Sequence, residues 1–281
     1  MGKLGFLHAN FGRRIVALLC AMAAAAGASA GAPAATPASL EAARVWAAAE
    51  SHPLDPARHS GSPANGTVRR NQLLSNEFTF TRWAYVSRIV GIRRAPHTSS
   101  PRVGRLTWHT ADGFPAIYLV LRAHWDRRGR EWVKLRIPGR PNGRTGWVAR
   151  VGLDRFHLTR LLVVVNREKL RMYFYRRGRR IWSAPVGVGR PSTPTPAGNF
   201  WVDERFKIAD AGSGYYPYAF GTTDYSTLSD WPGGGIVGIH GPYFEPQNIP
   251  GRISHGCIRL QVADDFWLAR HMKLGTPLHV R

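Results

Sequence analysis

Two short stretches hold the side chains best equipped for proton transfer and nucleophilic attack. Ser254-His255-Gly256-Cys257-Ile258-Arg259 sets a thiol two residues after an imidazole, and Ile239-His240-Gly241 sets a second imidazole seventeen positions before that thiol. Two chemistries use such a set. His240, His255 and Cys257 are three ligands of the type that leave an open position on a catalytic zinc, but no nearby carboxylate or second His–Cys pair completes or orients them. The other chemistry is nucleophilic catalysis. A free cysteine titrates near pH 8.5, so a neighbouring imidazole must take its proton and later return one to the leaving group. Such a nucleophile also needs something to orient the base and backbone N–H groups facing the developing oxyanion.

Several elements must bring these residues together. Ile236–His240 follows three glycines and reads as a buried strand. His255 and Cys257, two apart, face one side if the chain is extended there, and Gly256 between them permits close backbone approach. From Leu161 the chain alternates as an antiparallel meander: Leu161–Val165, Lys169–Tyr175 with Leu170, Met172 and Phe174 on one face, and Ile181–Val188. Thr193-Pro194-Thr195-Pro196-Ala197-Gly198 is a rigid turn into a strand over Phe200–Asp203. Residues 204–235, with Tyr215, Tyr216, Tyr218, Phe220, Tyr225 and Trp231 among glycines, read as a long irregular loop. Val262, Phe266, Ala269 and Met272 share a helical face, Asp264 and Asp265 occupy the first turn where the helix dipole favours negative charge, and Gly275 reads as the residue after the helix. Thr276–Val280 closes as a strand.

Ahead of this region, residues 77–157 hold candidate strands at Ala84–Val90, Ala116–Arg122, Glu131–Arg136 and Thr145–Val151. Pro96, Asp112-Gly113, Arg128-Gly129 and Pro141-Asn142-Gly143 separate them. Short strands so regularly punctuated predict a small all-β barrel. Residues 31–76, rich in Ala, Pro, Ser and Gly, read as a linker, with a short Ala-rich helix over Ser39–Ser51.

The formal net charge of +22 points to an anionic partner or surface. The basic residues are spread along the chain without the dense stretch of a nucleic-acid arm, which argues against nucleic acid and leaves an anionic cell wall. Lys3, Arg13 and Arg14 followed by apolar Ile15–Ala26 and Ala28-Ser29-Ala30 read as a secretory signal over residues 1–30; an uncleaved anchor is the alternative. No second stretch is apolar enough to span a membrane. Export to the periplasm or wall follows. Of the two cysteines, Cys20 leaves with the signal, so Cys257 stands alone and has no internal disulfide partner.

His240-Gly241, twelve further residues, then Ser254-His255-Gly256-Cys257-Ile258-Arg259-Leu260 resembles the signature of the L,D-transpeptidases with the YkuD-type catalytic domain. The resemblance covers residues 160–281, including the Leu-Val-Val-Val strand, the Thr-Pro-Ala-Gly turn and the closing helix and strand. Val90-Gly91-Ile92-Arg93-Arg94-Ala95-Pro96, Trp132-Val133-Lys134-Leu135 and Gly146-Trp147-Val148 resemble a bacterial SH3-type domain. Together they imply a mainly β protein: an SH3-like barrel, then a YkuD-type β-sandwich with one helix near the C-terminus. They also imply that Cys257 attacks a peptidoglycan stem tetrapeptide after its third residue, a diamino acid, releasing D-alanine. An amine of another stem then takes the acyl group. In this frame His240 is general base and acid, the Gly241 carbonyl orients it, and His255 and Ser254 shape the site. The N–H groups of Gly256 and Cys257 form the oxyanion hole, Arg259 and Tyr243 bind substrate, and neither metal nor organic cofactor is needed.

The competing readings are a wall peptide hydrolase using the same cysteine and histidine, and a non-catalytic wall-binding protein. If His240 is the base, His240→Ala suppresses acylation and flattens its dependence on pH between about 5 and 8, where an imidazole titrates. If the first module only targets the wall, deleting residues 77–156 weakens binding to sacculi and leaves acylation by a small carbapenem intact.

Overall fold

A computed structural model describes residues 71–230 and 232–281. The signal over 1–30, the linker as far as residue 70 and the Ser39–Ser51 helix lie outside the described residues. The described residues belong to one unit. It is mainly β, with one α-helix near the C-terminus among the described residues.

The first sheet takes its strands in chain order: β1 (Asn71–Leu73), β2 (Thr81–Tyr85), β3 (Gly91–Arg93), β4 (Arg102–Arg105), β5 (Ile117–Trp125), β6 (Glu131–Arg136), β7 (Thr145–Ala149) and β8 (His157–Thr159). They lie in the order β4-β3-β7-β6-β5-β2-β8, with β1 also paired to β5. No pairing joins β4 to β8, so these hydrogen bonds form an open sheet and not the closed barrel expected from the strand spacing. The sheet also starts earlier than the boundary at 77, because Asn71–Leu73 pairs with Arg122–His124.

Strand β5 explains how this module meets the next one. Its Ile117-Tyr118-Leu119-Val120 run is buried on both faces, the pattern of a strand covered from two sides. Tyr118 and Val120 pack into the sheet's own core with Ile92, Val133, Leu135 and Val148. Ile117 and Leu119 point the other way and pack on Trp201, with Trp83, Tyr85 and Leu274 around them. Each large side chain buried this way contributes about 1.5–3 kcal/mol. The two modules therefore share an apolar cluster.

The second module is two sheets. Strands β9 (Leu161–Asn166), β10 (Arg171–Arg176), β11 (Arg179–Pro185), β13 (Gly198–Trp201) and β19 (Pro277–Val280) run in the order β11-β10-β9-β19-β13. Strands β12 (Gly187–Gly189), β14 (Phe206–Lys207), β15 (Tyr218–Tyr225), β16 (Ile236–His240), β17 (Gly251–Ser254) and β18 (Ile258–Arg259) run in the order β14-β15-β16-β18-β12-β17. Helix α1 (Val262–His271) packs with them. One core joins all three: Val163, Met172 and Phe174 from the five-stranded sheet, Val188, Phe220, Ile239 and Ile258 from the six-stranded one, and Leu268 and Ala269 from the helix.

Two expectations are corrected by these elements. Residues 204–235 are not one irregular loop, because β15 occupies Tyr218–Tyr225 and is buried from Ala219 to Asp224. Gly221-Thr222-Thr223-Asp224 is polar and does not alternate, which hides a strand from hydrophobic patterning. Asp265 lies in the first turn of the helix as expected; it is fully buried, and its Oδ2 accepts the Tyr218 N–H at 3.0 Å. Gly275 is not the residue after the helix, which is capped at Met272. It adopts φ +73° in the following turn, where a Cβ would lie 2.2 Å from the Trp83 ring.

Candidate active site

The site is built on the parallel pair β16–β18. Their register places Ile239 beside Ile258 and His240 beside Arg259. Continuing that register backwards sets Cys257 beside Gly238, and the Gly238 N–H indeed points at Cys257 Sγ at 3.4 Å. Gly238 and His240, two apart on an extended strand, share a face. The Gly238 N–H thus ties the thiol to β16, two residues before the imidazole.

His240 is 3% exposed. Its Nδ1 lies 2.8 Å from the Gly241 carbonyl oxygen. A carbonyl only accepts, so Nδ1 carries the hydrogen and Nε2 keeps its lone pair. Burial, with help from the Arg259 guanidinium and against the Gly241 bond, pulls its pKa down to about 3. Tyr215 packs on the ring at 4.7 Å between centroids, and Tyr243 stands 6.2 Å away.

Cys257 is a free, half-buried thiol. Burial pushes its pKa up, the Gly238 N–H and Arg259 work against that, and the buried Asp224 adds to it. Arg259 itself is buried, pairs with Glu245 and lies 4.6 Å from the Tyr243 ring. Tyr243 and Phe244 both adopt positive φ, 55° and 66°, a conformation L residues seldom hold unless the surroundings impose it. The ion pair and the ring contact tie that strained turn to β18.

The cysteine turn is fixed from within and from outside. Ser254 Oγ donates to the Cys257 carbonyl at 2.6 Å and accepts the Gly256 N–H at 3.1 Å. The Gly256 N–H, expected in the oxyanion hole, is thus occupied by Ser254, which leaves Cys257 as the backbone donor of the expected pair. Gly256 adopts φ +130°, so the chain is not extended from His255 to Cys257; His255 is exposed while Cys257 turns inward. From outside, Thr195 Oγ1 donates to the Gly256 carbonyl at 2.7 Å and accepts the Gly189 N–H at 2.9 Å. Thr193 Oγ1 donates to the Ser254 carbonyl at 3.2 Å.

The structure thus brings His240, Gly241, Tyr243, Ser254, Gly256, Cys257 and Arg259 together, with His255 at the rim. The zinc trio is not assembled: among the described residues no three His, Cys, Asp or Glu side chains come together as a metal site would require. Tyr215, Thr195 and Asp224 escaped the sequence reading. The Thr-Pro turn could have signalled Thr195, which is placed to hold a neighbouring backbone. Nothing in the pattern around Asp224 marks it as buried near a thiol.

Residues 160–280 match the model of the YkuD family, the L,D-transpeptidase catalytic domain. The chain is 30% identical over 121 residues to a putative L,D-transpeptidase YkuD of Bacillus licheniformis, an overlap of 43% of this chain and 64% of that protein. It is 28% identical over 113 residues to L,D-transpeptidase 1 of Mycobacterium tuberculosis, covering 37% and 44%. The crystal structure of an Enterococcus faecium L,D-transpeptidase is similar at 28% identity over 43% of this chain and 49% of that one, with a TM-score of 0.34. The chain spans less than two thirds of the length of either curated relative. Residues 160–280 are a catalytic domain of the YkuD-type L,D-transpeptidase family.

Proposed function

We propose that the protein is an exported peptidoglycan L,D-transpeptidase working by a thioester on Cys257. The observation that carries this reading is a half-buried thiol held to β16 by the Gly238 N–H, two residues before an imidazole whose Nε2 is unprotonated. The family of residues 160–280 supports it.

In this mechanism Cys257 Sγ attacks the carbonyl carbon that follows the third residue of a stem tetrapeptide, and its proton passes to His240 Nε2. The carbonyl oxygen becomes an oxyanion facing the Cys257 N–H. The C–N bond to D-alanine then breaks, and His240 returns the proton to the leaving amine. A side-chain amine of a second stem attacks the thioester and gives a proton to His240, which passes it to the departing thiolate. The Gly241 carbonyl keeps the imidazole in the required tautomer throughout, so no buried carboxylate has to orient it. In this reading Arg259 and Tyr243 bind the stem. The signal read over residues 1–30 and the basic charge support an activity at the anionic wall.

Intact mass of the mature protein after exposure to a carbapenem tests the first half-reaction: an adduct on Cys257, absent in Cys257→Ser, is expected. No adduct and no thiol reactivity under native conditions would overturn the reading. Incubation with purified peptidoglycan and mass analysis of the products tests the second half, with cross-links between third residues as the expected result.

A further inference from the structure

The cysteine turn rests on a segment outside the motif. A Cβ on Gly256 would lie 3.1 Å from Ser226 Cβ, so the end of β15 and the residue after it back the turn directly. In that segment Asp224 is wholly buried, and its Oδ2 has no hydrogen-bond partner.

What holds this segment comes from the first module. The loop between β6 and β7 reaches across with two side chains. Arg140 donates to the Ser226 carbonyl from Nε at 3.1 Å and from Nη2 at 2.6 Å. It also donates to the Leu228 carbonyl at 3.2 Å and to the Gly234 carbonyl at 2.7 Å, and its guanidinium stands 5.2 Å from the Tyr225 ring centroid. Asn142 pairs with the backbone of Tyr225 as a neighbouring strand would: Nδ2 donates to the Tyr225 carbonyl at 2.8 Å and Oδ1 accepts the Tyr225 N–H at 3.2 Å. The same Nδ2 donates to Asp224 Oδ1 at 3.2 Å. A flexible tether would not satisfy so many backbone groups of its neighbour.

We propose that Asn142 and Arg140 are positioning residues of the catalytic centre, so that the first module completes the site instead of merely delivering it to the wall. This rests on the acyl-transfer reading of Cys257, and it reverses the expectation that residues 77–156 are dispensable for acylation. Arg140 fixes the backbone on which Gly256 sits. Asn142 fixes the same backbone and also acts on charge. Asp224 faces Asn142 from the first module, Arg167 from the residue after β9, and Cys257 from the turn. Cys257 in turn faces Arg259, Tyr215 and Tyr243. The Asn142 N–H favours the carboxylate form of Asp224, whose charge holds the thiol up. Removing that donor keeps Asp224 protonated to higher pH and lowers the pH at which Cys257 ionises.

The test uses the full chain with Asn142→Ala and Arg140→Ala. Two quantities are read: carbapenem acylation of Cys257 against concentration, and iodoacetamide alkylation of Cys257 against pH. Both variants are expected to lower the maximal acylation rate about tenfold to a hundredfold, the penalty of a site displaced by a fraction of an ångström to an ångström. Asn142→Ala is further expected to move the alkylation midpoint to lower pH, and Arg140→Ala to leave it in place. A purely structural contact would not produce that split. If Asn142→Ala also lowers the melting temperature, the alkylation midpoint measured well below the transition still decides. Wild-type rate and midpoint in Asn142→Ala would overturn the proposal. A wild-type protein that alkylates but takes no carbapenem defeats the transpeptidase reading and leaves the alkylation arm to judge this one.

Discussion

The carbonyl oxygen of Tyr216 occupies the space in which a side chain on Gly241 would begin: a Cβ there would lie 1.7 Å from that oxygen and 2.8 Å from its carbon. Gly241 is also the residue whose carbonyl holds His240 Nδ1. The two facts belong together. Because backbone fills the side-chain space at 241, the group that orients the base has to be a backbone atom. Gly241→Ala must displace either the Tyr216-Pro217 backbone or the Gly241 carbonyl. The expected outcome is a loss of acylation of about a hundredfold or more and of stability by about 1–3 kcal/mol, read by acylation kinetics and urea unfolding. An alanine variant with normal rates would remove Gly241 from the site.

The nucleophile and its base were legible because their chemistry is written in residue type and spacing, and β16 because its apolar run follows three glycines. The two-residue spacing of His255 and Cys257 misled, because it implies an extended chain and Gly256 at φ +130° breaks it. The oxyanion donor at Gly256 misled for a related reason: a motif shows which N–H groups are near the cysteine, not which of them a serine has already taken. Strand β15 was illegible because Gly221, Thr222, Thr223 and Asp224 are buried in it, and hydrophobic patterning does not mark such residues as buried. Thr222 Oγ1 donates to the Val237 carbonyl at 2.6 Å. Long-range contacts such as Asn142 with Asp224, 82 residues apart, leave no local signature at all.

The pH dependence expected from an ordinary imidazole is reversed by the depressed pKa of His240. At about 3, the ring is already neutral throughout pH 5–8, and the thiol, pushed up by burial, is still protonated there. The reactive pair, neutral thiol with neutral imidazole, keeps the same proton count across that window. Wild-type acylation is therefore expected to be flat between about pH 5 and 8. His240→Ala should lower the rate about a hundredfold or more and make the remainder climb roughly tenfold per pH unit, because only pre-formed thiolate can then react. Stopped-flow acylation across this range measures both. A wild-type inflection near 6.5 would assign the histidine an ordinary pKa and restore the simpler expectation.

Thr195 offers a cleaner dissection of positioning from folding. Its hydroxyl, 1% exposed as a residue, satisfies the Gly256 carbonyl and the Gly189 N–H together. Thr195→Val preserves shape and leaves both groups unpaired, which should cost about 2–4 kcal/mol and slow acylation, since Gly256 immediately precedes the nucleophile. Thr195→Ser keeps the hydroxyl and should recover most of the rate while losing only a methyl contact. Equal rates in the valine and serine variants would show that the bond to Gly256 does not set the cysteine.

Asp265 makes a prediction about stability that is independent of catalysis. Burial pushes its pKa from the usual 3.8 up to about 8; the Tyr218 N–H and Arg205 oppose this but do not cancel it, and Oδ1 has no hydrogen-bond partner. The folded protein then binds a proton that the unfolded chain releases above about pH 3.8. The stability from this group is present at low pH and falls as pH rises through 8. Asp203, raised to about 7, and buried Asp224, raised to about 8, act in the same direction. His240 acts oppositely, being neutral when folded, but only below about its usual 6.5. Between about pH 6.5 and 8 the acids are therefore unopposed by it, so urea midpoints should fall there and level off above pH 8. Asp265→Asn keeps an acceptor for Tyr218 and cannot ionise. It should match the wild type within about 1 kcal/mol at pH 5 and exceed it by about 1–3 kcal/mol at pH 9. A variant less stable than the wild type at both pH values would mean that Asp265 is ionised and compensated in the folded protein, placing a cation such as Arg205 closer to it than the burial argument requires.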